Sequence, residues 1–143
     1  MNDKFDLARG WLTKARSDLA TGNLVADGDG PYDTACFHAQ QAMEKALKAL
    51  LALHEQPIPR THNLEELQQL CLQIVMMPEL ATLDLIEASD YAVQVHYDLE
   101  FWPTQAIASD AMLLAEQVVG LVIDALPLDQ RLLPKAQIGD DET

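Results

Sequence analysis

The sequence predicts an all-α protein, an up-and-down bundle of four to five helices. Apolar residues recur at steps of three and four through most of the 143 residues, the spacing that puts side chains on one face of an α-helix. No alternating run rich in Val, Ile and Thr competes with that pattern, and proline and glycine clusters cut the chain into long segments joined by short connections. Long helices with short connections pack as antiparallel neighbours.

The first helix is expected from about Asp3 to Val25, where Phe5, Ala8, Trp11 or Leu12, Ala15 and Leu19 keep helical spacing. Asp27-Gly28-Asp29-Gly30-Pro31 ends it with turn residues. A second helix covers about Tyr32 to His54. Its residues Ala35, Ala39, Ala42, Ala46, Ala49 and Leu53 form a narrow stripe that permits close helix approach, and Cys36, Met43, Leu47 and Leu50 widen it. Pro57 and Pro59 stop this helix, and His62 or Asn63 can cap a third over about Asn63 to Val75, with Glu65 and Glu66 complementing the dipole of its first turn. Pro78 opens a fourth, about Glu79 to Tyr91. His96 to Pro103 reads as an irregular aromatic segment in which Tyr91, Tyr97, Phe101 and Trp102 cover the bundle end. Pro103 then occupies the first turn of a fifth helix that runs to about Leu126. One domain is therefore expected over residues 1–126, followed by a flexible acidic tail over 127–143.

The formal net charge of −14 is unevenly spread. Residues 1 to 30 carry five acids and four bases, residues 31 to 62 three of each, and residues 63 to 126 eleven acids with no Lys or Arg. Such a block repels a nucleic-acid backbone, so RNA is a poor partner for it. A phosphate-bearing ligand would go to the first two helices, where Arg9, Lys14, Arg16, Lys45, Lys48 and Arg60 lie. The acidic excess itself suits solubility or a basic protein partner.

Cys36 and Cys71 both fall inside apolar helical patterns, where buried free thiols fit. With no apolar leader and no uninterrupted apolar run near the roughly 18 residues of a membrane span, a reducing cytoplasm is the expected location and no membrane the expected partner.

The functional signal lies at the joint of the second and third helices. His38, Gln41, Lys45 and Lys48 stand three, four and three residues apart and form one polar seam. That seam runs into the turn Arg60-Thr61-His62. Glu44 and Lys48, four apart, suit a solvated ion pair on an exposed face, and His38 suits packing against a second copy across a two-fold axis. No H-E-x-x-H, C-x-x-C or paired Glu-x-x-His motif occurs, so no metal is expected. No G-x-S-x-G or glycine-rich phosphate loop occurs either, which leaves no expected cofactor and no assigned catalytic residue.

The run from Phe37 to Leu50, FHAQQAMEKALKAL, followed by Pro59-Arg60-Thr61-His62-Asn63-Leu64, resembles the signature of HEPN domains, named for higher eukaryotes and prokaryotes nucleotide-binding. Ala15-Arg16-Ser17-Asp18-Leu19 is similar to the family's opening motif, and the resemblance spans roughly residues 5 to 126. It implies a helical bundle that pairs into a homodimer. It also implies a place beside a minimal nucleotidyltransferase in modules of toxin–antitoxin type, with a nucleotide as ligand. The residues it nominates for nucleotide contact are His38, Gln41, Lys45, Lys48, Arg60 and His62, together with His96 and Tyr97 before the last helix.

Many members of the wider superfamily are metal-independent ribonucleases that use an arginine and a histidine separated by four to six residues. Here no Arg precedes a His by five to seven positions. The branch's Arg-Tyr-Pro loop sequence is replaced by His96-Tyr97-Asp98, which exchanges a permanent cation for a group mostly neutral near pH 7. The reading is therefore a HEPN protein that works by binding and lacks ribonuclease activity. Its alternative is a divergent metal-independent ribonuclease, a toxin, using His96, or His62 with Arg60 of a facing subunit.

Overall fold

Residues 3–134 are described by the computed structural model. Among them are seven α-helices and no strand: α1 Lys4–Asp27, α2 Tyr32–Leu53, α3 Leu64–Leu72, α4 Pro78–Ala81, α5 Ile86–Ser89, α6 Tyr91–Tyr97 and α7 Gln105–Ala125. A 3₁₀ turn, Leu128–Gln130, follows α7.

Helix α1 begins where Asp3 and Asp6 form a reciprocal cap: the Asp6 N–H donates to Asp3 Oδ1 at 2.9 Å and the Asp3 N–H donates to Asp6 Oδ2 at 3.2 Å. It ends in a turn containing Gly30, whose φ of +90° suits glycine. The buried residues Ala8, Leu12, Ala15, Gly22 and Ala26 lie on the face turned to α2 and α7.

Helix α2 is the axis of the molecule. It packs against α1 and α7, and its remaining sides are covered by α3, α5 and α6. Fifteen of its residues are buried, including the polar Gln40, Glu44 and Lys48. Its alanines bring neighbouring backbones close, while Met43, Leu47 and Leu50 fill the core with no exposure at all; each such side chain contributes about 1.5–3 kcal/mol by leaving water.

Helix α7 is capped by Thr104, whose Oγ1 accepts from the Ile107 N–H at 3.2 Å. With 21 residues and a mean hydropathy of 1.7 in its most apolar window, it could cross a membrane by length and composition. Yet Ala108, Ala111, Met112, Ala115, Val118, Val119 and Val122 recur at helical spacing and are buried, and Glu116 is exposed on the opposite side. It is the third core helix. Arg131 folds back on its C-terminal end and donates to the carbonyls of Leu126 at 2.7 Å and Asp124 at 2.6 Å, satisfying acceptors the helix leaves open.

The three long helices match the spacing argument closely, and the count of four to five does not hold. The third helix stops at Leu72 rather than Val75, and the stretch expected as one helix from Glu79 to Tyr91 is broken into α4, α5 and the start of α6. The buried Gln68 of α3 is the reason. Its amide donates to the carbonyls of Leu80 at 2.8 Å and Leu83 at 2.9 Å, acceptors a continuous helix would use internally. The segment read as irregular is partly helical, since His96 and Tyr97 belong to α6. Pro103 precedes the Thr104 cap and lies outside the first turn of α7. Residues 135–143, including the Asp140-Asp141-Glu142 run of the expected tail, lie outside the described residues; ahead of them Leu133 is buried against the core.

Candidate functional site

Helices α1 and α2 pack side by side, and Asp18 of α1 is buried at their contact. Asp18 Oδ1 lies 2.8 Å from His38 Nδ1, and Asp18 Oδ2 accepts from Lys45. One carboxylate therefore gathers two members of the predicted seam. His38 and Lys45 are each about a quarter exposed on the side chain, at 23% and 25%. Because Nδ1 faces the carboxylate, Nε2 is the ring nitrogen left to meet anything outside.

A second cluster sits one turn further along α2. Glu44 Oε2 accepts from Lys48 Nζ at 2.9 Å, and both Glu44 oxygens lie 3.1 Å from His62 Nδ1. Both Glu44 and Lys48 have side chains only 7% exposed. The expected solvated pair is thus a buried one, because α2 has neighbours on all sides. Lys48 Nζ also lies 5.8 Å from the centre of the Trp11 ring, within cation–π range.

Gln40 knits the joint together. Its amide donates to Glu44 Oε1 at 3.3 Å and to the His62 carbonyl at 3.1 Å, while Gln41 donates to Gln40 Oε1 at 2.7 Å. His62 is pinned at ring and backbone alike, and Asn63 rather than His62 caps α3, accepting from the Glu66 N–H at 2.9 Å. Arg60 is exposed and forms no ion pair or side-chain hydrogen bond with another described residue.

His96 and Tyr97 stand apart from the joint on α6. The His96 ring meets the edge of Phe37 at 5.5 Å, and Phe37 meets His38 at the same distance on another side. Phe37 therefore links the α6 residues to the seam by packing, with no direct hydrogen bond. The aromatic cover divides: Tyr91 is buried and stacks on Phe101 at 5.9 Å, whereas Tyr97 and Trp102 are exposed, against the expectation that all four cover the bundle.

The electrostatics limit what the joint can hold. Of the six cations expected to attract phosphate, Arg9 pairs with Asp6, Lys45 with Asp18 and Lys48 with Glu44. A cleft of about 590 Å³ beside the joint, lined by Phe5, Trp11, Ala52 and Ile58 among others, sets Asp3 and Glu55 against the single ammonium of Lys4. Neither arrangement concentrates positive charge. Among the described residues there is no group of three or more His, Cys, Asp or Glu placed to hold a metal ion.

The two thiols are buried and unpaired. Burial pushes Cys36 up to about 11, with Asp33 and Glu87 adding to the rise, and burial alone pushes Cys71 up to about 12. A protonated thiol is a poor nucleophile.

Sequence reasoning missed Asp18, Gln40 and Glu44 as organising residues. The signal was present for Asp18, an isolated acid on a helix otherwise bearing Lys14 and Arg16 nearby.

The family described as HEPN domain matches residues 8–126. The fold is similar to the crystal structure of TT1696 from Thermus thermophilus, with a TM-score of 0.67 and 29% sequence identity over 83% of this chain and 98% of that one. No protein of curated function matches the chain.

Proposed function

Because the chain belongs to the HEPN domain family, we propose that it acts by binding, as the nucleotidyltransferase-partner subunit of a toxin–antitoxin-type module, and that it has no ribonuclease activity. The observation that carries this reading is the internal neutralisation of the joint. Asp18 holds His38 and Lys45, and Glu44 holds Lys48 and His62, so the two lysines of the seam already have carboxylate partners. An ion pair that is buried and hydrogen-bonded fixes geometry more than it attracts ligands. Pairing into a homodimer belongs to the same reading.

Nucleotide contact is the second form of this proposal. It is favoured by the exposed Arg60 two residues before His62, whose own side chain is 74% exposed. A phosphate there would meet Arg60 and the His62 ring.

Calorimetry with ATP and GTP, light scattering for mass, and co-purification with the product of the neighbouring gene test the reading together. Binding of the neighbouring product by a dimer supports it; no nucleotide heat and no partner reject both forms. Cleavage of labelled RNA that is lost in His62→Ala or His96→Ala would instead establish the ribonuclease alternative.

A further inference from the structure

Helix α2 runs out into a residue that resists the conformation it is given. Glu55 has a φ of +58°, in the left-handed region, and among the described residues no other residue except glycine is found there. The Glu55 N–H donates to the Ala52 carbonyl at 3.0 Å and the Gln56 N–H to the Leu51 carbonyl at 2.9 Å, which satisfies acceptors at the helix end. Glycine takes such a place at little cost, whereas a residue with a Cβ is strained in it. Glu55 is exposed, and its carboxylate forms no ion pair or hydrogen bond with another described residue. The strain therefore secures no contact inside the described fold.

What the side chain does meet is a cleft. Glu55 lines the opening of about 590 Å³ between the start of α1 and the chain leaving α2, a size that suits a small molecule. Its apolar walls include Phe5, Trp11 and Ile58, each partly buried and packed on the core. Its charged groups are the carboxylates of Asp3 and Glu55 and the ammonium of Lys4, so negative charge is in excess. Asp3 Oδ1 already accepts from the Asp6 N–H in the cap of α1, and Lys4 Nζ lies 5.4 Å from the centre of the Phe5 ring. Glu55 is the carboxylate without such a duty.

We propose that this cleft binds a small organic amine, a molecule with one ammonium group on an aromatic or branched apolar body, and that Glu55 selects the ammonium. The body lies against Phe5, Trp11 and Ile58, and the ammonium donates to the Glu55 carboxylate, with the charge of Asp3 nearby. A glutamate in a place suited to glycine is accounted for by that contact, because backbone strain persists where a side chain serves a ligand. Phosphate-bearing and other anionic molecules are the wrong class, since they would face two carboxylates against one ammonium. The site is separate from Arg60 and His62, and it does not depend on the reading of the chain as a partner-binding subunit.

Trp11 reports on the site once the other tryptophan of the chain, the exposed Trp102, is replaced by phenylalanine. In the full-length Trp102→Phe protein, Trp11 fluorescence is followed while phenethylamine, the neutral phenethyl alcohol or the anionic hydrocinnamate is added. Phenethylamine should change the emission saturably and bind about tenfold more tightly than the alcohol, as one charge-assisted hydrogen bond allows. Hydrocinnamate should bind most weakly. Glu55→Gln should bring the amine to the level of the alcohol. Glu55→Gly should do the same while raising the thermal midpoint by a few degrees, which separates the role of the carboxylate in binding from any part in folding. No saturable response to the amine, equal binding of the three probes, a preference for hydrocinnamate, an unaltered amine preference in Glu55→Gln, or a lowered midpoint in Glu55→Gly would each overturn the proposal.

Discussion

Asp18 Oδ1 and His38 Nδ1 lie 2.8 Å apart across the contact of α1 and α2, and the other oxygen of the same carboxylate holds Lys45. Asp18 is 8% exposed, so its carboxylate is held by the His38 ring and the Lys45 ammonium of α2 rather than by water. Replacing it by Asn leaves Lys45 without its counter-charge in a partly enclosed place. The expected loss is about 1–3 kcal/mol, between the values for exposed and buried pairs. Urea unfolding of Asp18→Asn measures it, and an unchanged midpoint would contradict the structural role given to this carboxylate.

Gly22 sits where α1 comes close to side chains of α7 and α2. A Cβ there would lie 2.5 Å from Met112 Sδ and 3.3 Å from His38 Cβ. For Gly22→Ala the end of the flexible Met112 side chain must move aside, and the gain of about 1 kcal/mol in helix propensity offsets that cost, so little net change is expected. Gly22→Val should lose about 1–3 kcal/mol through overpacking. Thermal unfolding of the two variants separates the effects: if valine is tolerated as well as alanine, the close packing is not a constraint.

Gln68 ties α3 to the carbonyls of Leu80 and Leu83. Gln68→Leu keeps the volume and takes the side-chain donor from the Leu83 carbonyl, while the Leu80 carbonyl keeps the Leu83 N–H at 3.3 Å, for an expected loss of about 1–3 kcal/mol. Hydrogen exchange should rise first in residues 78–89. Uniform acceleration throughout the chain would mean that Gln68 has no special hold on this segment.

Both thiols should resist alkylation in the folded protein at pH 8 and react when urea unfolds it. Each has a folded value raised above the ordinary 9.0, to about 11 for Cys36 and about 12 for Cys71. Their neutral forms are therefore favoured by folding, and this contribution is fully present below pH 9. Above it the unfolded chain releases protons that the folded chain keeps, so stability declines between pH 9 and about 11 to 12. Cys36→Ala and Cys71→Ala in the same background should flatten that part of the profile; identical slopes would assign it to other groups.

The long helices were legible because their stabilising contacts repeat along the sequence. α2 begins at Tyr32 as the spacing requires and ends within one residue of the expected boundary at His54. The segment from Pro78 to Pro103 was not legible in the same way, because what interrupts it comes from elsewhere in the chain. Gln68 captures carbonyls twelve and fifteen residues further on, and period alone carries no trace of that. At the joint, residue spacing placed His38, Lys45 and Lys48 on one seam; the structure brings His38 and Lys45 together at Asp18 and buries Lys48 against Glu44. Spacing did not tell which carboxylates face them: Asp18 arrives from another helix, and Glu44 is enclosed only because α3, α5 and α6 close over α2.

That enclosure has an evolutionary consequence. A helix with neighbours on most of its sides, and only residues such as His38 and Lys45 partly exposed, has little surface on which a new contact with the outside arises without disturbing an old one inside. Drift in α2 is confined to substitutions that conserve volume and charge pairing. Changes of partner or specificity must accumulate at the rim instead, at Arg60 and His62 on one edge and along α6 on the other, where side chains are free to change while the axis of the bundle stays fixed.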